Sequence, residues 1–295
     1  MRHPTLALLP ALALLLAWPA PAAHISPAND TVDNGLLSTD PDFYSVSWDG
    51  GGSFSITFDG SVAQGILAPY IAYDAGAGLV VQSLNGFSTS SFSATSGPTY
   101  TPRGSGDSHS SVTETRSDGT VSVQATGSIA DGSNVFHVDY RVENLSASPI
   151  DDVAIYLYLD GNLNNDFGSD LGGTFGATSP PFAGLILYVS DDGADPGGQS
   201  AIGLSSSGPT LSAYQIDDAF DLEAAIEAGI GLDFTVDAGP GDLAAAIQWS
   251  LGTLAGGGEA QVGGDVIANP VPEPGTLSLL ALGLAACALR RGRAR

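Results

Sequence analysis

The run "YSVSWDGGGSFSITFDG", residues 44–60, alternates large apolar and small polar side chains with a period of two. Alternation puts Tyr44, Val46 and Trp48 on one side of an extended chain and Ser45 and Ser47 on the other, so a strand gathers the apolar set on one face. The Asp/Gly break at 49–52 and the repeat in Phe54, Ile56 and Phe58 make this a hairpin with one buried face. Further strands read at 66–73, 78–83, 120–129 and 135–142, with Asp131-Gly132 as the turn between the last two. The Ser/Thr/Gly/Pro-rich stretch 88–111 reads as a long loop or edge region.

The second half continues in the same manner with "DDVAIYLYLD", "GLILYVS", "AIGLSSS", "LAAAIQWSLG" and "EAQVGGDVIA". Segments 153–159 and 185–189 are apolar on both faces, which suits central strands under cover. A single helix over 217–228, with Phe220, Ala224 and Ile226 behind acidic N-terminal residues, could supply that cover. No repeat of 20–50 residues is evident, against a propeller or solenoid. The expected fold is all-β: one large two-sheet β-sandwich over 23–268, with roughly 14 to 18 strands and one short helix.

Both ends fall outside that domain. Residues 1–22 have the layout of a secretory signal peptide: Arg2, an apolar stretch from Leu6 to Leu16, and the small-residue site Ala20, Pro21, Ala22. The only cysteine, Cys287, lies near the other end, so the exported body has no disulfide or thiol chemistry. The chain holds eight Lys plus Arg against 32 Asp plus Glu, a formal net charge of -24. The body has no Lys, and Arg103, Arg116 and Arg141 are its cations. Such a surface repels nucleic acid and anionic lipid and attracts metal cations.

The remaining arginines cluster at Arg290, Arg291, Arg293 and Arg295, behind an uncharged apolar helix expected over 276–289. That segment is shorter than the ~20 residues of a permanent single-pass anchor, and its arginines stay cytoplasmic by the positive-inside rule. Before it stand Val271, Pro272, Glu273 and Pro274, whose prolines impose an extended, accessible backbone. Residues 269–295 therefore resemble a PEP-CTERM sorting signal, with Val-Pro-Glu-Pro, a short helix and an Arg cluster in order. The resemblance implies processing by an exosortase-like enzyme after secretion and transient membrane insertion of the tail. It also implies delivery to the cell surface or an extracellular polysaccharide matrix. The plain alternative is a stop-transfer anchor.

A looser resemblance comes from "FHVDYRVENLSASPIDDVAIYLYLD" and "WSLGTLAGGGEAQV". Both look like hairpins of bacterial surface domains of the Ig-like and larger super-sandwich kinds, which supports a sandwich and no particular activity.

Catalytic motifs are missing: no Gly-x-Ser-x-Gly, His-Glu-x-x-His or Cys-x-x-Cys occurs, and without Lys there is no P-loop. His24 and His109 sit near the expected new N-terminus and in the Ser-rich region, and His137 shares a solvated strand face with Asp139. The acidic pairs Asp151-Asp152, Asp191-Asp192 and Asp217-Asp218 are of the type a glycosidase needs, but Asp-rich turns yield such pairs readily. In "LDGNLNNDFGSD", Asp160, Asn162, Asn164, Asp166 and Asp170 offer oxygens to a hard cation, and Ca2+ is the ion they suit. Asn165 and Leu171 stand where a calcium loop of EF-hand type has Gly and Glu, and an Asn/Asp-rich turn explains the run equally well. The residues thus predict a non-enzymatic structural or adhesive surface protein with exopolysaccharide as a partner. The alternative is a secreted carbohydrate-binding or carbohydrate-cleaving protein on the same sandwich.

Overall fold

The computed structural model describes residues 31–36, 44–48, 54–58, 64–84, 91–103, 108–162, 170–180, 182, 184–190, 201–208 and 211–268. The expected signal peptide, the sorting tail with its apolar helix, and residues 163–169 lie outside them. In chain order the strands are β1 (Thr31–Asp33), β2 (Tyr44–Trp48), β3 (Phe54–Phe58), β4 (Gln64–Asp74), β5 (Leu79–Ser83), β6 (Ser93–Pro102), β7 (His109–Ser117) and β8 (Val121–Ile129). There follow β9 (Val135–Asn144), β10 (Ile150–Asn162), β11 (Leu171–Phe175), β12 (Ile186–Ser190), β13 (Ala201–Ser206), β14 (Ala213–Asp218), helix α1 (Ala219–Glu227), β15 (Leu243–Leu254) and β16 (Glu259–Ala268).

These strands form an all-β sandwich of two sheets. The large sheet has 11 strands in the order β11-β12-β13-β16-β9-β8-β7-β1-β2-β3, with β6 also on β7; the small sheet runs β14-β15-β10-β4-β5. Alternate residues of both sheets turn inward into one apolar core that includes Trp48, Phe136, Tyr140, Ile155, Leu157, Ile247 and Trp249. Strand β10 lies between β15 and β4, and its two apolar faces have separate destinations. Ile155, Leu157 and Leu159 join the inter-sheet core, while Ala154, Tyr156 and Tyr158 face a second cluster with Leu222 and Ile226 of α1. The helix supplies the cover that this strand requires.

Helix α1 starts because Asp218 caps it, its Oδ1 accepting from Phe220 N at 3.0 Å and Asp221 N at 3.3 Å. It stops at Gly229, whose φ of 71° is open to glycine without strain: Gly229 N donates to Ile226 O and Ile230 N donates to Ala225 O. That pair of bonds satisfies the last carbonyls of the helix.

Two expectations need correction. The pairs β9/β10 and β15/β16 are not hairpins, because β9 and β16 pair with each other in the large sheet while β10 and β15 pair in the small one. Each connection carries the chain across the sandwich, and Asn144 ties the two crossings together. Its Nδ2 donates to Ser148 O (2.8 Å), Leu254 O (3.0 Å) and Ala255 O (3.1 Å), and its Oδ1 accepts from Ser146 N (2.9 Å). Of the two readings of the Ser-rich stretch, the edge region holds for its described residues: they contain β6 and the start of β7, and β6 is an edge strand on β7, exposed along nearly its whole length, with pairing that slips at three places. Short hydroxyl side chains tolerate a wet edge strand as readily as a loop, so composition alone left the two readings open. In β12 the reading of two apolar faces is only half right: Leu187 and Val189 are buried, whereas Ile186 and Tyr188 are partly open.

Candidate functional site

The outer face of the large sheet is polar across β8, β9 and β16, and strand register sets out its side chains in rows. Ser128, His137 and Asp265 form one row, Thr126, Asp139 and Gly263 the next, and Gln124, Arg141 and Gln261 the third. The sequence produces this face by alternation: Phe136, Val138, Tyr140 and Val142 are buried, so their neighbours point the other way. Gly263 is needed here, because a Cβ at that position would stand 2.6 Å from Asp139 Oδ1 and 3.0 Å from Ser207 Oγ. Its missing side chain leaves room for the Asp139 carboxylate. A shallow hollow of about 290 Å3 lies over these rows, lined by Gln124, Thr126, Asp139, Arg141 and Gln261.

His137 stands between two carboxylates, Nδ1 at 2.7 Å from Asp265 Oδ1 and Nε2 at 3.1 Å from Asp139 Oδ2. The hydrogen bond to Asp265, helped by the charge of Asp139 and opposed by partial burial, raises the imidazole above its ordinary value of 6.5. Arg141 is bound by Glu259 in the fork-on-fork manner, Nε to Oε2 at 3.0 Å and Nη2 to Oε1 at 2.5 Å. The cations of the face are therefore already engaged by carboxylates; the two glutamine amides and the Thr126 hydroxyl also line the hollow, with Thr126 Oγ1 3.1 Å from Thr113 Oγ1 and Gln124 Nε2 3.5 Å from Thr115 Oγ1. Planar amides and carboxylates fixed on strands suit pairs of hydroxyl groups. A histidine with both ring nitrogens occupied is poorly placed to carry a proton elsewhere.

The sequence pointed to His137 and Asp139 as neighbours on one face. Asp265 is 128 positions away from His137 and becomes its partner only through the β9–β16 register. The candidate calcium ligands divide differently. Asn164 and Asp166 lie outside the described residues, as does the side chain of Asn162. Asp160 ends the covered face of β10, near Asp242 and Glu223; burial first, then the charges of Asp242 and Glu223, push its carboxyl up to about 7. Asp170 is buried and its backbone pairs with Gly241. Among the described residues no group of three or more His, Cys, Asp or Glu is arranged to hold a metal ion. Nearby, Tyr70 Oη donates to Glu223 Oε1 at 2.6 Å and Tyr158 Oη to Ala219 O at 3.0 Å, so the helix satisfies these two hydroxyls.

Residues 270–294 match the PEP-CTERM protein-sorting motif, the segment that contains Val271, Pro272, Glu273, Pro274, Arg290, Arg291 and Arg293. The chain thus carries an export and sorting signal of the kind processed by an exosortase. No curated protein matches the chain by sequence. Among solved structures, a bacterial glucoamylase complexed with acarbose is similar with 12% identity and a TM-score of 0.57, over 88% of this chain and 36% of the other. A galactose mutarotase-like protein from Lactobacillus casei ATCC 334 shows 15% identity and a TM-score of 0.41, over 81% and 99% of the two chains. A polysaccharide lyase shows 12% identity and a TM-score of 0.44, over 77% and 32%. The likeness to the glucoamylase is one of fold, and this chain spans little more than a third of that enzyme's length.

Proposed function

We propose that this chain is an exported, non-enzymatic protein of the cell surface or extracellular matrix, with a structural or adhesive role, and that the open face of β8, β9 and β16 holds matrix polysaccharide. The observation that carries the reading is the hollow lined by Gln124, Thr126, Asp139, Arg141 and Gln261. Its amide, hydroxyl and carboxylate groups are held at strand spacing, which favours recognition of many weakly polar hydroxyls over one strong ionic contact. The locked His137 supports binding without turnover. The sorting motif supports export, which this role requires.

The test uses the exported protein recovered from cells and a panel of soluble polysaccharides. Retention without release of new reducing ends is expected, and Gln124→Ala combined with Gln261→Ala should weaken retention about tenfold or more, the loss of two or more hydrogen bonds. Absence of any retention by the unaltered protein overturns the binding role. In the same cells Glu273→Ala with Pro274→Ala is expected to leave an unprocessed form at the inner membrane. Normal processing of that variant would refute sorting through these residues.

A carbohydrate-cleaving reading has one observation in its favour. Asp160, pushed up to about 7, has the protonation of a general acid and Glu223 stands near it. Release of reducing ends that disappears in Asp160→Asn would establish that reading in place of the first.

A further inference from the structure

Among the described residues, three that are not glycine have a left-handed backbone: Asp152 (φ 53), Phe182 (φ 53) and Phe234 (φ 68). Bulky side chains avoid that region, and such strain persists where the surroundings impose it and a site uses it. Here two of the three are phenylalanines that touch. Their rings are stacked, with centroids 5.9 Å apart and an interplanar angle of 17°. Tyr214 meets both edge-on, at 5.6 Å from Phe182 and 5.5 Å from Phe234. Phe182 and Tyr214 are buried, at 6% and 3% exposure, but Phe234 is 47% exposed.

The backbone around Phe234 is firmly held. The chain after α1 runs beside the edge strand β14, where Phe234 N donates to Tyr214 O (2.9 Å), Ile216 N to Thr235 O (3.0 Å) and Asp237 N to Ile216 O (2.9 Å). Asp233 Oδ1 accepts from Thr235 N at 2.9 Å and from Thr235 Oγ1 at 2.6 Å, which fixes the turn around the strained residue. An aromatic ring is thereby presented to solvent on a rigid support, with exposed Asp233, Thr235 and Asp237 beside it.

We infer that Phe234, stacked on Phe182, is a platform for a pyranose ring of a neutral polysaccharide, a second contact point separate from the hollow on the large sheet. This rests on the polysaccharide-binding reading above. A flat ring offers its face to the apolar C–H side of a sugar, while neighbouring carboxylate and hydroxyl groups accept and donate to the sugar's rim. Charge selects the class: with a net charge of -24 and carboxylates flanking the ring, the site disfavours an anionic glycan. A nonspecific apolar partner would have to desolvate Asp233 and Asp237 in order to cover the ring and the exposed Val236 beside it.

The bland role for Phe234 is a cap over the edge of the core, and Phe234→Leu separates the two. Leucine keeps an apolar cap and the same backbone strain but has no flat face, whereas Phe234→Trp keeps the face. The exported protein is run through affinity gels containing dextran, starch or, as an anionic control, alginate, and each variant is also melted thermally. Retardation by at least one neutral polymer is expected, about tenfold weaker in Phe234→Leu and retained in Phe234→Trp. Equal retardation of Phe234→Leu and the unaltered protein overturns the platform and leaves the wider reading standing if Gln124→Ala with Gln261→Ala still reduces it. Loss in Phe234→Leu that tracks a lowered midpoint, with Phe234→Trp equally impaired, assigns the ring to capping and overturns the inference. Retardation by alginate alone overturns the neutral class, and no retardation in any gel overturns both readings.

Discussion

Inward, the two sheets look alike, since each sends alternate apolar residues into the shared core. Outward they differ. The small sheet presents Ala72, Ala154, Tyr156, Tyr158, Ala244 and Ala246, and α1 lays Leu222 and Ile226 across them. The large sheet presents Gln124, Thr126, His137, Asp139, Arg141 and Gln261, and these remain partly open or exposed. Alanine is the instructive residue on the covered side, because its short side chain lets the helix approach while tyrosines fill the remaining gaps, Tyr70 and Tyr158 bonding to it. The same period-two alternation therefore builds a sealed layer where the outward set is small and apolar, and an open polar plane where that set is polar.

The largest effect that tests this contrast comes from truncation. Leu222→Ala removes a fully buried side chain from the covered layer and is expected to cost about 2–5 kcal/mol in denaturant unfolding. Thr126→Ala on the open face should stay within about 0.5 kcal/mol of the unaltered protein. Similar losses from both would erase the distinction between a packed layer and a free one.

A smaller and more discriminating effect is expected from pH, measured with a chelator present so that no cation contributes. On the covered face, Asp160 holds its proton more tightly folded than unfolded, with its carboxyl raised to about 7 from the ordinary 3.8. Its contribution is full below 3.8 and is lost as pH climbs through about 7. Asp160→Asn should therefore change little at about pH 3 and stabilise the protein at about pH 8. On the open face, His137 is raised above 6.5, chiefly by its bond to Asp265. Its stabilisation is full below 6.5 and fades as pH rises through the raised value, so His137→Gln should cost most in mildly acidic solution and least in alkali. The two variants thus move stability in opposite directions. A His137→Gln penalty that grows with pH would show that the ring is held neutral.

Much of this was legible because the deciding signals were local. Alternation at Tyr44, Val46 and Trp48 marked β2, the doubly apolar 153–159 marked a strand with cover on both sides, and acidic residues before Phe220 marked the start of α1. What escaped depended on pairing at a distance. Nothing near His137 announces Asp265, and nothing near Asn144 announces Leu254 and Ala255, because strand order and register create both sets of bonds. The crossings were mistaken for hairpins for the same reason: a short turn between two strands reads alike whether the second strand returns to its own sheet or passes to the other. Phe234 was hidden because positive φ at a bulky residue leaves no mark in composition.

The place of β16 has a mechanical meaning. It is the strand nearest the sorting segment, yet it lies inside the large sheet, joined to β9 from Glu259 to Ile267 and to β13 from Gly264 to Ala268. At its end Ala268 N donates to Asn134 O at 2.9 Å, and Asn134 Nδ2 returns a bond to Ala268 O at 2.7 Å. A tether pulling beyond Ala268 along the strand loads two seams together, so their bonds must shear as a group, whereas an edge strand such as β5, bonded on one side, can be peeled bond by bond. In a single-molecule trap, rupture from the carboxy-terminal end is expected at a higher force than peeling of β5, and equal forces would refute it. Before its sorting tail is processed, the exported chain meets a pull with the middle of its sheet and keeps its edges out of the line of force.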